Sequence, residues 1–432
     1  FTKAGFQKTM QDIPRISKLL RTENWVLARQ DLTSLDALLT QAYCFNYTTW
    51  WRTFLQKSQP LHYQDYQQGR QLATLLNQSG GMSHLIAYVQ EQTQPDLNQS
   101  NSVFNQLVAN QFTDLNLLSL SSLKELHVKI AELEQFLSTL SVVHDGGRTA
   151  FNITKTRFIN EISSDPISVL FNQSKQFPEP LKSWTNKLAG DAWFLLIQDS
   201  RQYINTQWQQ LVYTEFQSSI AQRYPFVSGQ KNEITMNDFN HFFSTHGVLN
   251  SFTEQYIRPF IDTSSAQWKT KVVNDMVLPL STETLDEIIR ANIITNMFYP
   301  EHGDVSTIRF SLQKISLDPV VSKLRLEIGD SKLVDSQDSN SFIQFNWPQS
   351  DAKLALDSIE GNHYELAEQG AWALFKLLEK VNVLVDEQDG SSLQILFEVN
   401  GNSGRYLLKT TNKVNPFTPG ILSGFSLNEV LV

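Results

Sequence analysis

At 432 residues the chain exceeds what one hydrophobic core ordinarily serves, so about two to four domains are expected. Apolar residues make up 41% of it and charged residues only 18%, with a net charge of −9 and no basic stripe. That balance excludes a disordered chain, and it excludes a partner gripped through its phosphate backbone, which needs clustered Lys and Arg.

From Phe1 to about Pro300 the apolar spacing is helical. After an opening FTKAGF, Ile13, Ile16, Leu19 and Leu20 recur at helical intervals behind Asp12, up to ENWVLA. Leu35, Leu38, Leu39, Ala42, Cys44, Trp50, Phe54 and Leu55 mark a long aromatic-loaded helix stopped by Pro60. A third helix runs from about Tyr66 to Asn77, with Gly80 and Gly81 as its expected stop. Val103, Leu107, Val108, Phe112, Leu115 and Leu118 form another stripe. Leu123, Leu126, Ile130, Leu133, Leu137 and Leu140 alternate steps of three and four, the seam of a coiled-coil-like helix. A Ser122–Glu125 capping box is expected at its start and Gly146-Gly147 at its end. The seam is too short for an intermolecular coiled coil and predicts antiparallel pairing inside a bundle. Asp165-Pro166 opens a short helix. A long one then carries Trp193, Ile197, Ile204, Trp208, Leu211, Val212, Phe216 and Ile220 to RYPF. DFNHFF, Phe252 to Phe260, and Leu285 to Met297 behind a Thr284–Glu287 box complete the helical part. No self-similar period supports a solenoid.

After Pro300 the period changes to two. IRFSL, KLRLEIGD, FIQFNW, KLALDS, VLVDE, LQILFEVN and RYLLKTT are short alternating runs separated by turn residues. Asp389-Gly390 and Asn400-Gly401 read as hairpin dipeptides. Within this region EQGAWALFKLLEK, Glu368 to Lys380, is helical, with Trp372 and Phe375 on an apolar face that strands must cover. The expected fold is α+β and multidomain: a helical subdomain over 1–147, a second over 148–302, and an antiparallel β-sandwich over 303–432 with an inserted helix at 370–381.

Cys44 is the only cysteine, so no disulfide forms within the chain and no Cys-based metal site exists. In its aromatic-rich helix it reads as a buried, inert thiol. The lack of disulfides fits the cytosol and equally a bacterial periplasmic domain. No apolar run reaches the roughly eighteen residues of a membrane-spanning helix. The chain begins at Phe1 with neither a starter Met nor a signal peptide, which reads as a fragment whose anchor would lie elsewhere.

No motif for chemistry emerges. His241 and His246 are five apart and fall on different helix faces. GMSHL lacks the closing glycine and the preceding strand of a nucleophile elbow. GGRTAFNITK lacks the Gly-Lys-Ser/Thr ending of a phosphate loop. DEQDG lacks the first carboxylate of a calcium loop and reads as a turn. The residues alone predict a surface-presenting protein with no catalytic, cofactor or metal site.

A set of ordered motifs adds more. FTKAGF, ENWVLA, YTTWWRTFL, RYPF, NDFNHFFSTHGVLNSF, Trp268, FNWP at Phe345 to Pro348, GAWALFKLL at Gly370 to Leu378, and NPF at Asn415 to Phe417 follow one another as they do in one family. In that order the chain resembles the C-terminal periplasmic region of the IcmF/TssM family, inner-membrane components of bacterial secretion machines. Gly370-Ala371-Trp372 and Lys376-Leu377-Leu378 stand where the family usually has Gly-Pro-Trp and Arg-Leu-Leu. Leu427-Asn428 replaces the terminal Cys-Pro common in type VI members. These departures lean toward the IcmF of a type IVB (Dot/Icm) system over a type VI TssM.

The resemblance implies a non-catalytic periplasmic scaffold, anchored by transmembrane helices outside this sequence. It would link inner-membrane partners to periplasmic or outer-membrane components. Its implied partners are a DotU/TssL-like inner-membrane protein, further copies of itself and, in a type VI system, a TssJ-like outer-membrane lipoprotein through the β region. No nucleic acid, cofactor or small-molecule substrate is implied. Trp347, Gly370, Trp372, Phe375, Asn415, Pro416 and Phe417 are the signature positions and read as packing and turn residues. Two alternatives stand beside this reading. One is a hydrolase whose site is assembled from non-contiguous residues. The other is a cell-envelope polysaccharide-binding sandwich, which predicts that Trp347 or Tyr406 is exposed.

Overall fold

The computed structural model describes residues 1–431 apart from 24–33, 79–80, 98–101, 161–163, 266, 340 and 386–388. Most of ENWVLA (24–28), Gly80, and Asp386 to Gln388 of the turn sequences therefore lie outside the described residues. The described residues form two compact units: Phe1–Ser200 with Val272–Met276, and Arg201–Lys271 with Val277–Val432.

The first unit is helical. Its members are α1 (Lys3–Thr22), α2 (Leu35–Lys57), α3 (Tyr66–Gln78), α4 (Gly81–Thr93), short turns over 103–116, α5 (Leu120–Val142), α6 (Gly146–Ile159), α7 (Pro166–Ser174) and most of α8 (Leu181–Trp208). All six seam residues of α5 are buried. Helix α3 reaches them through small residues: a Cβ on Gly69 would sit 3.0 Å from Leu137 Cδ1 and 2.6 Å from the Tyr63 ring. On α2 the buried Tyr47 donates its hydroxyl proton to the carbonyl of Gln92 at 3.0 Å, and burial pushes its pKa up to about 12.

Two helix boundaries in this unit differ from the sequence expectation. The start of α5 is capped by Ser119, whose hydroxyl accepts from the Ser122 amide at 3.1 Å, so Ser122 and Glu125 lie inside the helix. Glycines expected as stops are starts instead. Gly81 opens α4, and Gly146 opens α6 because the Asp145 carboxylate accepts from the Arg148 amide at 3.0 Å. Asp165 behaves as its Asp-Pro signature predicts, accepting from the amides of Ile167 and Ser168 at 3.0 Å each.

A buried guanidinium fastens the end of this unit. The Arg157 side chain is 2% exposed and donates to Asp165 at 2.6 Å, to Ser168 Oγ at 2.6 Å and to Asn274 Oδ1 at 2.7 Å. It lies 4.3 Å from the ring centroid of Trp193, whose indole N–H donates to the Val273 carbonyl at 2.9 Å. The segment Val272–Met276 is thereby drawn into the core, with Asn274 and Asp275 held at positive φ.

The second unit has a helical and a β part. After Trp208 the helical course widens into two π turns, Gln209–Tyr213 and Phe216–Ile220. Helix α9 (Met236–Phe243), a helical segment over 248–260, the two-residue ribbon of β1 (Ile261–Asp262) with β2 (Lys269–Thr270), and α10 (Thr282–Phe298) follow. Ser281, not Thr284, caps α10, accepting from the Thr284 amide at 3.0 Å; the Thr284 hydroxyl donates instead to the Leu431 carbonyl at 3.2 Å.

Nine further strands are β3 (Ile308–Leu317), β4 (Val321–Ile328), β5 (Ser331–Asp335), β6 (Phe342–Trp347), β7 (Asp351–Ser358), β8 (His363–Gln369), β9 (Asn382–Val385), β10 (Ser392–Val399) and β11 (Asn402–Thr410). They make an antiparallel five-stranded sheet, β6-β3-β11-β10-β9, and a four-stranded one, β5-β4-β7-β8. Alternate residues such as Ile308, Phe310 and Leu312 on β3, and Leu324, Leu326 and Ile328 on β4, are buried between them. Between the sheets, Tyr406 of β11 donates to the fully buried Asp335 at 2.9 Å.

Asn400-Gly401 forms the expected two-residue hairpin, with φ of 51° and 78° between the paired Val399 and Asn402. Asp389-Gly390 does not. Gly390 avoids the left-handed region, and Asp389 organises the turn by accepting from the Ser391 amide at 3.0 Å and the Ser392 hydroxyl at 2.7 Å. Those bonds hold its carboxyl well below the usual range.

The inserted helix, α11, spans Ala373–Glu379, shorter than the 370–381 expected. Glu368 and Gln369 still belong to β8, paired with Ala352 and Asp351. Gly370, at φ 95°, turns the chain from strand to helix. The irregular tail beyond β11 returns to the helices of its own unit. Gly424 N donates to the Phe226 carbonyl at 2.9 Å, the Trp208 indole donates to the Asn428 carbonyl at 2.9 Å, and Phe425 lies 5.3 Å from the rings of Phe226 and Phe243.

Candidate functional site

The signature positions converge on one aromatic core in the second unit. Trp372 sits at the turn between β8 and α11, fully buried, with its ring 5.1 Å from Trp347, 5.2 Å from Phe239 and 5.3 Å from Phe375. Its indole N–H donates at 2.8 Å to the carbonyl of Ile234, ahead of α9. Trp347, at the end of β6, donates at 2.8 Å to the Ala371 carbonyl and packs 5.4 Å from Phe298 at the end of α10. Helix and sandwich therefore meet through rings whose polar atoms are both satisfied, which a buried indole requires.

The NPF segment closes the other side. Asn415 is fully buried. Its amide side chain donates to the Ser391 carbonyl at 3.0 Å, and its Oδ1 accepts from the Phe417 amide at 3.0 Å, a local turn of the kind Asn favours. Pro416 follows in that turn, and Phe417 packs 5.0 Å from both Phe310 and Phe375. Gly370 is needed twice over. Its φ is positive, and a Cβ would meet the Glu233 carboxylate at 3.0 Å. Glu233 pairs with Lys376, which also donates to the Gln369 carbonyl at 2.9 Å.

Among the described residues no group of three or more His, Cys, Asp or Glu gathers as a metal site. Burial pushes the Cys44 thiol up to about 11, away from thiolate reactivity. Ser83 of GMSHL lies within α4, without the strand-to-helix turn that exposes a nucleophile. The outer face of the four-stranded sheet carries charges that neutralise one another. Arg325 pairs with Asp357 at 2.9 Å, Lys353 with Glu365 at 2.8 Å, and Lys332 with Glu327. His363 lies 2.7 Å from Asp357, which raises its pKa, with Glu365 adding to the effect. Paired, solvated charges of this kind do not form an acid/base site held apart for proton transfer. Trp347 and Tyr406 are 1% and 0% exposed, so the sandwich does not offer the exposed aromatic platform that polysaccharide binding requires, and that alternative falls. Both rings belong to the core instead.

The fold is thus that of a helical region followed by a two-sheet β domain with its signature residues in the joint. Three family models match in the same order: the IcmF-related "Intracellular multiplication and human macrophage-killing" model over residues 1–94, the type VI secretion protein IcmF helical domain over 200–305, and the type VI secretion protein IcmF C2-like domain over 310–412. The chain belongs to the IcmF/TssM family. It is 25% identical over 280 residues to the type VI secretion system component TssM1 of Pseudomonas aeruginosa, a match covering 63% of this chain and 25% of that protein. The chain thus spans about a quarter of the length of this curated relative. Two solved structures share the fold. A type VI secretion system membrane core complex matches with a TM-score of 0.71 at 15% identity, over 100% of this chain and 90% of its own. A type VI membrane complex matches with a TM-score of 0.68 at 15% identity, over 96% and 84%. Among the described residues no helix is long and apolar enough to cross a membrane.

Proposed function

We propose that this chain is a non-catalytic, periplasmic scaffold region of an inner-membrane component of a type VI secretion complex. The observation that carries the reading is the joint. Every signature aromatic is buried: Trp347, Trp372 and Phe375 pack on rings of α9 or α10, Phe417 packs behind them on Phe310 and Phe375, and the indoles of Trp347 and Trp372 each hold a backbone carbonyl of a neighbouring segment. Residues committed in this way fix the relation of helices to sheets and touch no substrate. Two of the family models and the matched relative bear type VI descriptions, which favours that system over the type IVB lean drawn from Gly370-Ala371-Trp372, Lys376-Leu377-Leu378 and Leu427-Asn428. Its partners on this reading are a DotU/TssL-like inner-membrane protein, further copies of the same chain and a TssJ-like lipoprotein at the β domain. Neither nucleotide nor substrate has a role in it, and the signature positions act as structural ones.

Protease accessibility of the full-length protein tests the reading. A tag placed within 303–432 should be protected in intact cells and cleaved in spheroplasts. Protection in spheroplasts, with cleavage only after lysis, would place the region in the cytoplasm and defeat it.

A further inference from the structure

An open groove runs along the first unit between α4 and α5. Its floor is the buried Leu123, and its walls are Ala87, Leu120 and Val128. Leu120 is 70% exposed and Val128 53%, so two large aliphatic side chains face water two helical turns apart on α5. They are not part of the Leu123–Leu140 seam, which is already filled. The groove encloses about 490 Å³ and extends, from Leu120 to Val128, over about 12 Å, enough for two to three turns of a docked helix. Its rim is Lys124, His84 and His127, and no carboxylate lines it. Glu91 and Glu125, the nearest acidic residues in sequence on the same two helices, are not in its lining. Among the described residues Lys124 forms no ion pair. On a chain of net charge −9, an apolar groove whose polar rim is one lysine, two imidazoles and Ser83, with no carboxylate, is set apart from the surface around it.

We propose that this groove docks an amphipathic helix of a partner protein whose apolar stripe is flanked by carboxylates. Aliphatic side chains at i, i+3 and i+7 of that helix fill the groove over Leu123, and its acidic flank faces Lys124 and the two histidines. The inference rests on the scaffold reading, but its test does not depend on where the chain resides.

The probe is a synthetic helical peptide of about eighteen residues, with leucines at i, i+3, i+4 and i+7 and glutamates on either side. Its twin has lysines in place of the glutamates. Binding to the whole chain is read by fluorescence anisotropy. The acidic peptide should bind at least about ten-fold more tightly than its twin, Lys124→Glu should remove most of that advantage, and Leu120→Asp should abolish binding. Both residues are exposed, so unchanged circular dichroism melts will show that the variants fold. Equal binding of the twins, or indifference to both substitutions, overturns the proposal. So does self-association of the chain that Leu120→Asp abolishes, which makes the occupant a second copy. Groove-dependent binding to phosphatidylglycerol vesicles without peptide binding also overturns it, since the occupant is then a lipid surface.

Discussion

Each unit anchors a distant backbone carbonyl with a buried tryptophan, but the two surround that anchor differently. In the first, Trp193 holds Val273 beside an ionic hub in which Arg157 is ringed by Asp165, Ser168 and Asn274. In the second, Trp372 holds Ile234 inside a cluster of other rings, with the Lys376–Glu233 ion pair at its half-buried margin. The ionic hub depends on its charge partner, because burial disfavours the Arg157 charge and the Asp165 carboxylate restores it. The aromatic joint depends on area and close packing, which are lost by degrees. The difference teaches that a hub can be broken by one unpaired partner, whereas a joint must lose volume.

The largest effects should come from removing the centre of each. Trp372→Ala should destabilise the second unit by about 3–5 kcal/mol in denaturant unfolding, through lost burial and a cavity. An unchanged midpoint would show that the joint is not structural. Arg157→Ala should cost the first unit a similar 3–5 kcal/mol by leaving Asp165 without its charge partner. Asp165→Asn can keep the Oδ1 cap but puts an N–H donor where Oδ2 accepts from Arg157 and Ser168, so its loss should equal or exceed that of Arg157→Ala, and a smaller loss would show that the pair is not the whole effect. A smaller loss, about 1–3 kcal/mol, is expected for Tyr406→Phe, which leaves the buried Asp335 short of a donor between the sheets. No change would mean that Ser339, 2.8 Å from the same carboxylate, suffices.

The smallest effect is a titration on the outer sheet face. His363 has its pKa raised by Asp357 and Glu365, so the protonated form is favoured in the folded state. Its contribution is then complete below about pH 6.5, the unfolded value, and is lost as pH rises through the folded value. Proton NMR should place the His363 midpoint above 6.5, with Asp357→Asn returning it toward that value. A midpoint at or below 6.5 would remove the pairing.

Much of this was legible in sequence wherever periodicity was strong. The α5 seam, the Asp165-Pro166 start and the change to period two near Pro300 are all observed. Boundaries were not legible where two acceptable caps compete. Ser119 and Ser281 each lie three residues ahead of the box expected to open the helix, and only backbone conformation shows which one caps. Gly81 and Gly146 carry the same ambiguity, since a glycine between helices serves either end. Strand β8, HYELAEQ, went unread because it is an edge strand with no fully buried face. The resemblance singled out Trp347, Gly370, Trp372, Phe375, Asn415, Pro416 and Phe417 by their order in the chain. Their convergence was not legible, because Ile234, Phe298, Ala371 and Phe417 are brought together only by the tertiary fold. The α4–α5 groove was invisible for the same reason: Leu120 and Val128 look like ordinary helix-core residues in sequence.

The buried rings of Trp347, Trp372 and Phe375 join the helices of the second unit to its β-sandwich. Hydrogen exchange of the Trp372→Ala variant, read by mass spectrometry, tests this most directly. Peptides covering β6, α9 and α10 should lose protection together, while those covering α5 keep theirs. Loss of protection confined to the sandwich, with α9 and α10 unaffected, would contradict it.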